Sequence, residues 1–176
     1  MAGVTTDIQL WPYGVTQPPI GYGVGANQTV YPGSVALQSG SGATTVGYLK
    51  NAATPGAADL VVGMIGQPAG GTYVQTGPGI VGGTTDGAVW ADVLTGAFLI
   101  QSGTGSDQLS ATTNGTTVYF GGENAQGPIA CAVVGSPPRP KMGIQFPQDP
   151  SFANGSQPGS TYWPISFNQV APGGPL

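Results

Sequence analysis

The sequence contains no histidine and few charged residues: three Lys or Arg and seven Asp or Glu among 176 residues. Histidine is the side chain that most often moves protons near neutral pH and binds metals. Its absence excludes Ser-His-Asp and Cys-His catalysis in their usual form. We therefore expect a protein that is not an enzyme and has no catalytic, cofactor-binding or metal-binding residues.

The scarcity of positive charge also limits the partners. Three cations in a chain of net charge −4 cannot neutralise a run of phosphates, which argues against nucleic acid as a partner. Long apolar runs are missing too: the stretch from Leu60 to Ile65 is far shorter than the roughly 20 residues of a membrane-spanning helix. Residues 1–7 lack the basic start of a secretory signal, so we expect a protein that is made in the cytoplasm, is not secreted and has no membrane partner.

Only one cysteine is present, so an internal disulfide is excluded. Cys131 lies in the apolar run 129–134. In that setting we predict that it is a small buried hydrophobic side chain.

Glycine and proline are abundant, at 32 and 17 residues, a level at which disorder has to be considered. Disordered chains, however, combine low hydrophobicity with high net charge, and this chain is 39% hydrophobic with a net charge of −4. Its short runs are rich in Val, Thr, Ile, Tyr and Phe, which suit strands, and they alternate with Gly and Ser turns. We predict an all-β fold, a small single-domain β-barrel or β-sandwich.

The predicted core domain covers residues 28–146, with roughly seven to nine strands. Its strand candidates are residues 29–37, 44–49, 60–65, 89–94, 96–100, 117–120, 129–134 and 142–146. The runs 89–94 and 96–100 are apolar on both faces apart from Asp92, which predicts central strands that are covered twice. Thr95 and Gly96 between them predict a bend or bulge.

Alternation over the last core strand predicts which side chains are buried. Met142, Ile144 and Phe146 fall on one face, and Lys141 and Gln145 fall on the other. The apolar face is expected to point into the core.

The two ends, residues 1–27 and 147–176, are rich in proline and lack sustained alternation, which predicts extended arms. At about 3.3 Å per residue, such an arm spans on the order of 80 Å. Aromatic side chains on a stiffened segment are typical interface anchors, although they also suit packing onto the chain's own barrel. The aromatic candidates for such contacts with another protein or subunit are Trp11, Tyr13, Tyr22, Phe152, Tyr162 and Trp163.

Two of the three cations, Arg139 and Lys141, lie close together. They suit either a solvated loop or a docking point on an acidic surface, where two charges would fix register more than add affinity.

Paired carboxylates are the remaining route to catalysis, as in glycosidases. Asp86 with Asp92, and Asp107 with Glu123, are the conceivable pairs. Asp86 and Asp107 lie in turn sequences, where Asp typically binds nearby backbone groups, and this favours a structural role.

Four stretches, residues 31–37, 96–99, 115–120 and 141–144, resemble small all-β head decoration (cement) proteins of tailed bacteriophages. The resemblance implies a Gly- and Thr-rich, charge-poor structural protein that assembles as a homotrimer and stabilises the capsid. Its partners would be the major capsid protein and further copies of itself. Its place would be the outer capsid surface of the virion, with arms laid across neighbouring shell subunits.

The sequence is also compatible with two other functions. One is a receptor- or carbohydrate-binding module of a phage fibre or spike, in which exposed aromatic rings stack on sugars. The other is a glycan-cleaving enzyme that uses two of the carboxylates named above.

Overall fold

The computed structural model describes residues 7–8, 10–14, 16–40, 42, 46–66, 79–149 and 161–167. Within these ranges the chain forms twelve strands and two single-turn 3-10 helices, which confirms the all-β prediction. The strands are β1 (Ile20–Gly23), β2 (Thr29–Val30), β3 (Val35–Gln38), β4 (Leu49–Lys50), β5 (Leu60–Ile65), β6 (Ile80–Val81), β7 (Trp90–Leu94), β8 (Gly96–Ser102), β9 (Thr117–Asn124), β10 (Gly127–Cys131), β11 (Lys141–Gln145) and β12 (Tyr162–Phe167). The 3-10 helices are Gly105–Asp107 and Ala111–Thr113.

The first half of the chain forms a five-stranded sheet in the order β1-β7-β5-β3-β4, with antiparallel neighbours. The two edges of this sheet meet just after β1. Val24 forms a bridge with Leu49, and the Gly25 N–H donates to the Leu49 carbonyl at 2.8 Å. The sheet therefore closes on itself, and we call it the N-terminal barrel.

The second half forms a closed barrel in the order β10-β8-β12-β11-β9, the C-terminal barrel. Its strand pairs are antiparallel except β10 with β8. The two barrels are joined where β7 passes into β8 at Thr95. Gly96 has a φ of 121°, a conformation that glycine adopts without strain, so the predicted bend is confirmed.

Two apolar clusters account for the core. One fills the N-terminal barrel beneath the β2–β6 pair, and it consists of Val24, Val30, Ala36, Leu49, Val62, Ile65, Ile80, Ala91 and Val93. The other is shared between the barrels. It joins Phe98, Phe120 and Ile165 of the C-terminal barrel with Leu37 and Met64 on the outer faces of β3 and β5. Strands β3 and β5 are therefore buried on both faces, and the two barrels form one body.

Cys131 is buried, as predicted. Burial raises the pKa of its thiol to about 11, which keeps it protonated at neutral pH.

The predicted alternation over β11 fails in its second half. The pairing of β11 with β9 shifts between Lys141 and Gly143, and an extra residue of this kind turns the following side chains to the opposite face. Gln145 consequently points inward and is fully buried, whereas Phe146 is 45% exposed. The Gln145 amide donates to the Ser110 carbonyl and to Asn114 Oδ1, both at 2.9 Å, and accepts from Thr113 Oγ1 at 2.7 Å.

The predicted arms and the boundaries at residues 27/28 and 146/147 need correction in the described residues. β1 belongs to the N-terminal barrel and β12 to the C-terminal barrel. Upstream of β1, the Tyr13 N–H donates to the Ala97 carbonyl, and the Trp11 carbonyl accepts from the Leu99 N–H, both at 2.8 Å. This segment thus extends the sheet alongside β8 instead of reaching away from the body.

Pro164 shows why proline did not exclude a core strand. It lies opposite Leu99, whose N–H is directed away from β12 to the Trp11 carbonyl. In an antiparallel pair this makes Leu99 and Pro164 a non-hydrogen-bonded position, so the missing proline N–H removes no bond to β8. On its other side, Pro164 accepts from the Phe146 N–H at 2.8 Å.

A buried carboxyl group links the two barrels. Glu123 of β9 is 2% exposed, and its Oε1 accepts from Ser34 Oγ at 2.7 Å and from the Val35 N–H, at the start of β3, at 2.9 Å. Burial raises the pKa of Glu123 above its usual value, and the two hydrogen bonds offset only part of this effect. The Glu123 carboxyl group thus accepts hydrogen bonds from two buried donors, Ser34 Oγ and the Val35 N–H, but its own burial destabilises its charged form.

Glu123→Gln and Glu123→Ala should therefore differ in stability. The glutamine keeps an oxygen acceptor for both donors, so its free energy of unfolding at pH 7 should equal or exceed that of the wild type. The alanine leaves both donors unpaired and should lose about 1–3 kcal/mol. Denaturant unfolding of the three proteins measures these differences.

The same three proteins test the pKa. A raised folded-state pKa means that the stabilising contribution of Glu123 is complete below its usual pKa of 4.5 and is lost as the pH rises through the folded value. The stability of the wild type relative to Glu123→Gln should accordingly fall as the pH rises above the usual pKa of 4.5. A difference that does not change with pH would contradict this assignment.

Candidate binding surface

The four carboxylates considered for catalysis lie in different surroundings. Asp107 pairs with Arg139, and Glu123 lies between the barrels. Asp86 accepts from the Ala26 N–H at 2.6 Å through Oδ1, and Asp92 lies in β7. Three of the four thus hold segments of the chain together. Among the described residues, no group of three His, Cys, Asp or Glu side chains is placed to hold a metal ion, and no helix there is long and apolar enough to cross a membrane.

The predicted docking cation Arg139 forms an ion pair within the chain. Its guanidinium donates to both carboxylate oxygens of Asp107, from Nη1 at 2.7 Å and from Nη2 at 2.9 Å. The hydrogen bond from Arg139 lowers the pKa of Asp107. This bidentate pair fixes the loop after β10 against the first 3-10 helix. Lys141, the other predicted cation, is exposed at the start of β11.

The predicted aromatic contacts are distributed over both barrels. Trp163 packs against the shared core and Tyr22 against the core of the N-terminal barrel. Burial raises the pKa of Tyr162. Phe152 lies outside the described residues. The described members of the set are all half-buried: Trp11, Tyr13, Tyr22, Tyr162 and Trp163.

Trp11 and Tyr162 also line a cleft between the N-terminal segment and the two barrels. Its volume is about 10 Å³, which is room for one water molecule. This cleft is too small to admit a sugar ring or a peptide side chain.

A different surface, on the outside of the N-terminal barrel, presents aromatic rings to solvent. Gly21 of β1 lies opposite Asp92, and Gly23 lies opposite Trp90. Residues opposite each other in an antiparallel pair share a face, and the intervening Tyr22 packs on the barrel core. The two glycines, Trp90 and Asp92 therefore lie together on the outer face.

Two aromatic rings cover these glycines. A Cβ atom at Gly21 would lie 3.4 Å from Cε3 of Trp90, and one at Gly23 would lie 3.0 Å from Cδ1 of Tyr48. The Tyr48 ring also covers Gly87, where a Cβ would lie 3.0 Å from Cε1. We call these five residues the aromatic surface. The absence of side chains at the three glycines is what lets the rings lie close to the backbone.

Trp90 is 51% exposed although one side of its ring lies against Gly21. The prediction that residues 89–94 are covered on both faces is therefore wrong at Trp90. The sequence signal for this surface is the pair of glycines two residues apart in Ile20–Gly23, which removes every side chain from one face of the strand. Recognising it requires knowing that Trp90 and Tyr48 lie on either side of β1.

We expect Asp107→Asn to lower the free energy of unfolding by about 0.5–1 kcal/mol at pH 7, because it weakens the ion pair with Arg139. A lowered folded-state pKa gives stability that is present above the usual pKa of 3.8 and is lost as the pH falls through the folded value. The difference from the wild type should therefore shrink in acid. Chemical denaturation at pH 7 and pH 3 measures it. Lys141→Gln is the matched control and should change neither value, so an equal loss in that variant would contradict the assignment.

Comparisons of the chain with models of protein families, with curated proteins and with solved structures find no match to it. What this chain does is therefore inferred from its own residues and their geometry.

Proposed function

We propose that this chain is a structural virion protein that decorates the outer surface of a phage capsid and stabilises the shell. The observation that carries the proposal is the closed C-terminal barrel, which shares one apolar core with the N-terminal sheet, whose edges meet at Val24 and Leu49. In a closed barrel the edge strands pair within the chain, so they are not open to strands of other molecules. This suits a rigid protein that binds to a capsid surface without polymerising through its sheet edges.

The distribution of charge supports a role in packing. Lys50 donates to Asp59 at 2.9 Å, and Arg139 is paired with Asp107. Burial by itself would raise the pKa of Asp59, but hydrogen bonds from Gly56, Gly40 and Lys50 lower it overall. Two of the three cations thus hold loops of the chain in place, and few charges remain to oppose close contact with a shell.

Exposed apolar side chains provide candidate surfaces for the contacts with the capsid and between copies of a homotrimer. Burying such side chains at an interface removes them from water and stabilises the assembly. Apart from Trp90, the exposed large apolar residues of the described chain are Ile20, Val46, Leu60, Val81, Val133, Val134 and Phe146.

The segments proposed to contact neighbouring capsid subunits contain fewer residues than the arms predicted from the sequence. Trp11 and Tyr13 are already bonded to β8, and residues 20–23 and 162–167 are strands. Residues 1–6 and 168–176 are the parts of the predicted arms assigned to capsid attachment. Many weak contacts from such segments, repeated over a trimer, add up to tight attachment.

Stoichiometry tests the virion role directly. Quantitative mass spectrometry of purified particles from the source of this chain should find about one copy per major shell subunit. Only a few copies per particle would instead favour the fibre or spike module, and absence from particles would refute both.

Truncation tests the attachment segments. Chains 7–176 and 1–167 keep every described strand and should bind weakly to particles stripped of decoration. Deletion of residues 1–27 is the contrasting control, because it removes β1 and should abolish cooperative unfolding. Undiminished particle binding by both short truncations would contradict this mode of attachment.

A further inference from the structure

The aromatic surface combines two features that a purely structural role does not require together. Trp90 is backed by Gly21 on one side, and half of its surface is exposed to solvent. An aromatic ring can stabilise a neighbouring glycine in a strand by covering it. That explains the contact with Gly21, but it does not explain why so large an apolar side chain is left open to water.

An exposed indole ring that packs on a glycine, as Trp90 packs on Gly21, can stack against the apolar face of a sugar ring. An aromatic ring is negative over its faces, and a pyranose presents weakly positive C–H groups on one side of its ring. Contact with the backbone holds the Trp90 ring in place, so binding loses little side-chain entropy. Tyr48 provides a second ring on the other side of β1, packed on Gly23 and Gly87.

Polar groups next to the rings suit sugar hydroxyls. Asp92 lies on the same outer face, opposite Gly21, and is half-buried. A carboxylate accepts hydrogen bonds from hydroxyl donors and is a stronger acceptor than a neutral oxygen. Thr84 and Thr85 are exposed in the turn that leads to Gly87, where the Tyr48 ring lies.

The charges near the aromatic surface distinguish between classes of sugar. Lys50, two residues from Tyr48, has its ammonium group bound to Asp59. Asp92 is an acidic residue, and the whole chain has a net charge of −4. This arrangement disfavours an anionic polysaccharide and is compatible with a neutral one.

We propose that the aromatic surface, together with Asp92, binds a neutral oligosaccharide, with one sugar ring stacked on Trp90 and a neighbouring ring at Tyr48. The site lies on the N-terminal barrel. This proposal does not depend on the virion role, and it is tested on the isolated protein.

A second copy of the chain is the competing occupant. A stable protein interface covers about 800 Å² on each partner. A half-exposed tryptophan offers on the order of 100 Å². The rings with their polar surroundings therefore match a sugar chain in size better than a protein partner.

Titration of the isolated protein tests the site. The probes are cellohexaose, maltohexaose, chitohexaose and mannohexaose, with hexagalacturonate as the acidic comparison, and the readout is the NMR signal of the Trp90 indole N–H. At least one neutral hexasaccharide should shift this signal in a saturable way, and hexagalacturonate should bind more weakly. The Trp90→Phe spectrum assigns the signal.

Variants separate binding from folding. The affinities of the wild type and the variants are measured by isothermal titration calorimetry, because the variants at position 90 have no indole signal there. Trp90→Ala should weaken the binding of that hexasaccharide by about tenfold or more, because the stacking partner is lost. Phe146→Ala is the matched control, since Phe146 is an exposed aromatic residue on the other barrel, at 45% against 51% for Trp90. It should bind like the wild type. If Trp90→Ala does not fold, the wild-type titration and Trp90→Phe, which keeps a smaller ring, still decide the question.

Several results would overturn the proposal. They are no shift of the Trp90 signal with any neutral hexasaccharide, equal binding by Trp90→Ala and wild type, or tighter binding of hexagalacturonate. Concentration-dependent self-association that Trp90→Ala abolishes would also overturn it, because the surface would then be an interface between copies.

Discussion

The two-sided burial of β3 and β5 is the constraint on which the rest of the structure depends. Their inner faces complete the N-terminal barrel, and their outer faces, through Leu37 and Met64, complete the core of the C-terminal barrel. Without this contact, Leu37, Met64 and the apolar residues of the C-terminal barrel that pack with them would lose that shared core. Because small barrels bury limited apolar area individually, a shared core gives each of them stability that it lacks alone.

Few charges are present, and most of those described are used to fix loops against this body. Asp59, Asp107 and Glu123 each accept hydrogen bonds from groups distant in the chain. A loop rich in glycine loses much conformational entropy on ordering, and a carboxylate that accepts several N–H groups offsets part of that loss. The acidic residues thus contribute mainly to architecture, which agrees with the proposed role as a structural part of a particle.

The aromatic surface results from the same barrel. Closure between Val24 and Leu49 brings Tyr48 next to β1, while the β1–β7 pair places Trp90 on the opposite side of the strand. Glycines at 21 and 23 leave that face of β1 without side chains. A rigid body with one open aromatic face can serve both as a block in a shell and as a contact point for sugars.

Local patterns in the sequence determined the strand class, the bend at Gly96 and the burial of Cys131, because residue preferences and apolar spacing act over a few residues. Tertiary structure alone decided that Gln145 turns inward, that Pro164 lies within a barrel strand and that Trp90 stays exposed. Each of these depends on register, on which neighbour a strand pairs with and where a bulge shifts that pairing. Registers between strands distant in the chain are set by the packing of the whole core, and no single segment contains that information.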